Sequence, residues 1–255
     1  ISAQLLTHFH SDHIDGLGEM AMMRWVSAAN TSPMTVIGPL GTATVVEGFN
    51  RSYSFDAQYR HAHHSDLVAP LSGTGMVAQE FTPPADGERV TIFEKDGLSI
   101  SAFAVDHEPV HPAVGYRFDY KGRSVVISGD TAKSANLEAM SQDVDLLVHE
   151  ALNRELIGIM ERAAKKTGNA SIEKAMSDIT DYHASPVEVA EIATGAKVGH
   201  LMYYHVVPAL PAPGMEAVYL EGVSDVYRGN ITLGEDGSMI SLPANSKAIE
   251  SNNLL

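Results

Sequence analysis

The sequence predicts a layered α/β fold, on three observations. Short runs of β-branched, aromatic and other apolar residues recur at 101–105, 124–128, 144–148 and 198–204. Each run ends in polar residues suited to chemistry: Asp106-His107, Gly129-Asp130-Thr131, His149-Glu150 and His205. Between the runs lie stretches with the apolar spacing of helices. Runs of this composition suit buried strands, and polar residues at the strand ends of layered α/β folds are where sites are built.

Taken in order, the apolar run 1–6 reads as a strand entering a polar segment, and a first helix follows at 15–28. There Trp25, Met20, Met22 and Met23 have the spacing of a core face. Residues 35–37 form a strand ending at Gly38-Pro39, and 41–49 read as a helix. The polar and aromatic stretch 50–64 is expected to be a solvated helix end or a pocket rim, so His61, His63 and His64 are not read as a second metal motif. Residues 70–89, rich in Pro, Gly and acid, read as a loop or hairpin edge. Strands are expected at 90–93, 98–105, 113–120, 123–128 and 144–148, with helices at 134–140, 153–165, 171–178 and 186–194. Ser185 and Pro186 open the last of these as N-cap and N1. His200, inside an apolar run, reads as a satisfied core histidine. Residues 206–214 form a stiff, proline-rich apolar loop. The expected organisation is one domain over 1–244 with a polar, frayed tail over 245–255.

The densest chemistry lies at Thr7-His8-Phe9-His10-Ser11-Asp12-His13, three imidazoles and a carboxylate within six positions. Imidazole and carboxylate are the ligands that a borderline cation such as zinc prefers. His8 and His10 alternate as on a strand, and the chain must then turn if the adjacent Asp12 and His13 are both to serve. A polar surface loop explains His-Xaa-His alone, but explains the whole cluster poorly. In residues 106–112, His107 and His111 compete as a further ligand. His107 is preferred because it directly ends the apolar run, while His111 stands beside a proline in a loop.

The ordered series Thr-His-Phe-His-Ser-Asp-His, a His before Gly115-Tyr116-Arg117, then Ser128-Gly129-Asp130-Thr131, His149-Glu150-Ala151, His183-Ala184-Ser185 and His205 resembles the metallo-β-lactamase superfamily. The likeness spans residues 1–207 and is greatest to the branch of transfer-RNA 3′-processing endonucleases and related phosphodiesterases and arylsulfatases. It implies an αββα four-layer sandwich whose first N-terminal strands are missing from this chain. It also implies a dinuclear site of two zinc ions, with iron or manganese as substitutes. By the same resemblance His8, His10 and His107 hold one ion, Asp12, His13 and His205 the other, and Asp130 bridges both. A hydroxide shared by two such ions is the expected nucleophile. Asp12, His183 and Glu150 are the catalytic candidates: His183 as general acid, Glu150 orienting or charging it. His149 has no settled role.

The chain has 255 residues, 44% of them hydrophobic, enough for an ample core. No run approaches the roughly 18 apolar residues of a membrane span. Cysteine is absent, which excludes disulfides and thiolate ligands. The compartment stays open between cytoplasm, periplasm and secretion, as does self-association. The net charge is −15, with 32 acidic against 17 basic residues, whereas nucleic-acid binding normally needs a basic footprint. The RNA-gripping arm of the resembled endonucleases would be inserted between the Gly-Tyr-Arg and Gly-Asp-Thr strands, where a tight hairpin stands at 116–124. These points argue against a large nucleic acid. The expected function is a zinc hydrolase of a small ester, a phosphodiester or aryl sulfate. Lactone or β-lactam hydrolysis, transfer-RNA 3′-processing and a non-catalytic metal-binding or sensor role are the alternatives.

Overall fold

The computed structural model describes residues 1–255 and divides them into two compact units, Ile1–Pro83 and Pro84–Leu255. The first unit runs β1 (Ala3–Leu5), α1 (Ser11–Ile14), α2 (Leu17–Ser27), β2 (Met34–Pro39), α3 (Thr42–Ser52), α4 (Ser54–Val68) and β3 (Met76–Phe81). Its sheet has the order β1-β2-β3 with both pairings parallel. Leu6, Leu17, Ala21, Met34, Val36, Val46 and Met76 form the core of this unit.

The helix expected at 15–28 is α2, Leu17–Ser27, and the single turn of α1 precedes it. Two other expectations for this unit change. Of the expected core face of α2, Trp25 is buried and its Nε1–H donates to Pro70 O, but Met20 and Met23 are exposed. The segment read as a loop or hairpin edge at 70–89 contains β3, which pairs in parallel with β2, not in a hairpin, over six residues from Met34↔Met76 to Pro39↔Phe81. Its alternation Met-Val-Ala-Gln-Glu-Phe has weak apolar contrast, and only the partner strand supplies the hydrogen bonds that make it a strand.

The second unit runs β4 (Val90–Lys95), β5 (Leu98–Ala104), β6 (Val114–Tyr120), β7 (Arg123–Ile127), α5 (Ala135–Met140), β8 (Leu146–Leu152), α6 (Arg154–Thr167), α7 (Ala170–Asp178), α8 (Pro186–Gly195), β9 (His200–Val207), α9 (Met215–Tyr219), α10 (Val223–Val226), β10 (Asn230–Leu233), β11 (Ser238–Ser241) and β12 (Glu250–Asn253). Seven strands form one sheet, ordered β10-β9-β8-β7-β6-β5-β4. The β4 to β7 meander is antiparallel, and β7, β8, β9 and β10 pair in parallel. Phe103, Val126, Leu147, Leu201 and Tyr203 are fully buried and pack with Val189, Ile192 and Ala193 of α8. The capping box of Ser185 and Glu188, with Pro186 at N1, fixes where α8 starts.

Two strands outrun their expected ends. β8 continues through His149 and Glu150 to Leu152, and β9 continues through His205 to Val207. The residues read as a tail carry structure as well: β12 pairs with β11, Asn245 N–H donates to Lys121 O, and Arg123 Nη1 donates to Ser246 O.

Candidate metal centre

In the first unit, Leu6 N–H donates to Ile37 O at 3.0 Å, which extends the pairing of β1 one residue beyond the strand. The chain then turns: His13 N–H reaches His10 O and Asp15 N–H reaches Ser11 O, closing the single turn of α1. That turn lets neighbouring residues converge. His8 is fully buried, its Nε2 lies 3.1 Å from Nδ1 of His10, and its ring centroid lies 4.2 Å from that of His13. Thr7 Oγ1 lies 3.1 Å from His8 Nδ1, so each ring nitrogen of His8 has a polar neighbour. Asp12, with a side chain 62% exposed, sits 3.2 Å from His13 Nε2.

In the second unit the candidates come from distant parts of the sequence. His107 follows β5 and is 1% exposed; its Nδ1–H donates to Tyr182 O at 2.9 Å, which fixes the tautomer and the ring orientation. His111 is exposed. Asp130 follows β7 through Gly129, whose φ of +65° is a conformation glycine adopts without a side-chain clash. The two loops are stapled together: Asp106 N–H donates to Thr131 Oγ1 at 3.1 Å and Ala132 N–H to Asp106 O at 2.7 Å.

His205 lies inside a strand, against expectation. β8 pairs Glu150 with Tyr204 and then Ala151 with Val206, so His205 is the extra residue of a β-bulge, with φ at +46°. A bulge re-aims a side chain, and this one sets His205 Nε2 3.7 Å from Asp130 Oδ2. A histidine in the left-handed region inside a sheet is an uncommon backbone conformation.

His183 and Glu150 form a buried pair with Nδ1 to Oε1 at 3.0 Å. The same carboxylate oxygen accepts Thr131 N–H at 3.1 Å and Ala184 N–H at 3.4 Å. With His183 Nδ1–H and two backbone N–H groups converging on it, Oε1 fixes the orientation of the His183 ring. Burial pushes the Glu150 carboxyl up, and the hydrogen bond from His183 opposes that only in part. Its sequence neighbour His149 is fully buried, and desolvation brings it down to about 4, so it stands neutral with Nδ1–H on Glu150 O. His200 is 5% exposed and held by Thr232 Oγ1 at 2.8 Å. On α4, His61 Nδ1 lies 2.9 Å from Ala69 O, and His63 and His64 are exposed.

Sequence reasoning missed three supporting residues: Tyr182, Thr131 and Ser128, whose Oγ accepts Glu150 N–H at 3.1 Å. Their roles run through backbone atoms or single hydroxyls, which leave no trace in residue type. Ser128 and Thr131 had a signal, their place in the Ser-Gly-Asp-Thr run.

Residues 1–206 match the beta-lactamase superfamily domain. The chain belongs to the metallo-β-lactamase superfamily. It is 39% identical to the ribonuclease Z of Mycolicibacterium gilvum over 92% of this chain and 76% of the relative. With the ribonuclease Z of Mycolicibacterium paratuberculosis it shares 36%, over 96% and 81%. With a putative ribonuclease Z of Mycobacterium tuberculosis it shares 35%, over 91% and 95%. Among solved structures, human short-form tRNase Z superposes with a TM-score of 0.59 at 20% identity, covering 95% of this chain and 80% of that one. The metallo-β-lactamase fold protein YhfI of Bacillus subtilis also gives 0.59, at 17% identity over 92% and 75%. These two share the α/β metallo-β-lactamase fold.

The chain is therefore a metal-dependent hydrolase of that superfamily, in a branch related to tRNase Z, and its His and Asp clusters fit a divalent metal, commonly zinc. Two expectations fall. The small phosphodiester or aryl sulfate substrate and the exclusion of a large nucleic acid are overturned by relatives named ribonuclease Z at 35 to 39% identity. The error was to read binding from net charge, which sums the whole surface while phosphate contact is local. Equally, a missing arm removes a grip but leaves the cleavage chemistry in place. No helix is long and apolar enough to cross a membrane.

Proposed function

We propose that this protein is a ribonuclease Z type endonuclease that trims the 3′ end of transfer-RNA precursors. The observation that carries the reading is the 39% identity to a ribonuclease Z over 92% of the chain. The buried Glu150–His183 pair supports it, because an alkoxide leaving group from RNA needs a proton.

On this reading His8, His10, Asp12, His13, His107, Asp130 and His205 would hold two zinc ions. The donor set fits, since imidazoles oriented by a hydrogen-bond partner at Nδ1 and a buried carboxylate suit zinc, with iron or manganese as substitutes. When bound, the ions supply a nucleophilic water near neutral pH and positive charge against the phosphoryl oxygens. The remaining work belongs to the chain. Glu150 Oε1 holds His183 Nδ1–H and fixes the ring, so a proton carried on Nε2 is delivered to the departing oxygen. Thr131 and Ala184 lock that carboxylate through their N–H groups. The buried surroundings of the pair keep water from competing for the proton.

Incubating zinc-loaded protein with a 3′-extended transfer-RNA precursor tests this directly. A discrete shortened product is expected. Failure to cut the precursor, with aryl phosphodiester or aryl sulfate reporters turned over, would overturn the reading.

A further inference from the structure

Tyr182 is a residue that the proposed mechanism leaves unused. It lies in the short link between α7 and α8, and the backbone of that link is tied down at several points. Tyr182 O accepts the His107 N–H at 2.9 Å, Ala184 N–H donates to Thr131 O at 2.9 Å, and His183 O accepts from Arg154 Nη2 at 3.3 Å. The Tyr182 ring stands edge-on to His107, centroids 5.2 Å apart at 82°, and tilted on His183 at 4.9 Å and 47°. It remains partly exposed. An aromatic ring is thus held rigidly against both a ligand candidate and the general-acid candidate, with surface left over.

Rigid, partly exposed aromatic rings are how proteins engage unpaired bases: the π-face accepts any base, and a fixed ring loses little freedom on stacking. The 3′ end of a transfer-RNA precursor is single-stranded at the point of cleavage, so its bases are free to stack. We propose that the Tyr182 ring is a stacking platform for the base beside the scissile phosphodiester, setting that phosphate against His183. This rests on the ribonuclease reading above. It makes Tyr182 a substrate-positioning residue whose face matters and whose hydroxyl does not.

The test compares Tyr182→Phe and Tyr182→Leu in zinc-loaded enzyme, reading KM, kcat and metal content on a 3′-extended precursor and on the same RNA carrying an abasic nucleotide on one side of the cut, then the other. Tyr182→Phe should leave KM within about twofold. Tyr182→Leu should raise it about tenfold, within the range measured for base–aromatic stacking, with both metals kept. One of the abasic RNAs should bind wild type as weakly as Tyr182→Leu binds intact RNA, with no further loss when the two changes are combined. Additive losses, equal effects of Phe and Leu, or an unchanged KM in Tyr182→Leu would overturn the platform while leaving the nuclease standing. A wild-type enzyme that neither binds nor cuts the precursor would instead overturn the function, and the platform with it.

Discussion

The two units present metal-binding side chains by opposite means. In Ile1–Pro83 four candidates occupy six consecutive positions, gathered by the exit from β1 and the one turn of α1. In Pro84–Leu255 the candidates His107, Asp130 and His205 are separated by 23 and 75 residues, and the parallel pairings of β7, β8 and β9 bring Asp130 and His205 together. The first arrangement is local and cheap in chain entropy; the second requires the sheet to exist before the site does. The supporting shells differ accordingly. His107, Asp130, Glu150 and His183 are each at most 7% exposed, while Asp12 is largely open to solvent. The second unit thus presents its candidates on a preorganised sheet, and the first a compact set that grades from the buried His8 to the exposed Asp12.

The largest expected effect tests whether the two sets serve one pair of ions. Wild-type protein should hold about two ions per chain on the dinuclear logic. Asp130→Ala should lose both and abolish cleavage, whereas His8→Ala should keep one, as read by elemental analysis. Two ions retained in Asp130→Ala would separate the two sets into independent sites.

Next is the acid. His183→Ala should keep both ions and lose about a hundredfold to ten-thousandfold in kcat on RNA, the usual worth of general acid help. The loss should shrink for a nitrophenolate leaving group, which departs without a proton. A metal content that falls with the rate would make His183 a ligand or a support instead.

A smaller effect distinguishes the buried second unit by its pH response. His149 titrates near 4 when folded against 6.5 as a free group, because burial disfavours its charge. Between those values the unfolded chain binds the extra proton, so stability falls as pH drops from about 6.5 to about 4 and levels off below. The full loss is on the order of 3 kcal/mol. Denaturant titrations of metal-stripped wild type and His149→Gln should show the slope flattened in the variant. Parallel slopes would assign the acid sensitivity elsewhere.

The smallest effect concerns the rival ligand. His111→Ala should leave metal content and rate unchanged, since His111 is exposed while His107 is buried and anchored by Tyr182 O. Loss of an ion in His111→Ala, with His107→Ala unaffected, would reverse that choice.

The metal motif at 7–13, the strand-ending Asp130 and the capped start of α8 were legible because each depends on neighbours within a few residues. Composition and spacing alone expose such features. The meander from β4 to β7 was legible for the same reason, through alternating runs and tight turns. β3 was not, because its residues pair with a strand some forty positions earlier and carry no strong pattern themselves. The bulge at His205 was hidden as well: nothing in Tyr-His-Val announces an extra residue, and only the fixed register of β8 leaves His205 unmatched. Nor could residue types reveal that Tyr182 offers its carbonyl to His107 across a separation of 75 residues. The sequence by itself determined which side chains were available and that they suited a metal hydrolase of this superfamily, because ligand chemistry resides in residue identity. Which atoms face one another, which carboxylate is buried beside its histidine, and which strand carries one residue too many were decided by the tertiary structure, because hydrogen-bond partners and burial are properties of distant segments brought together.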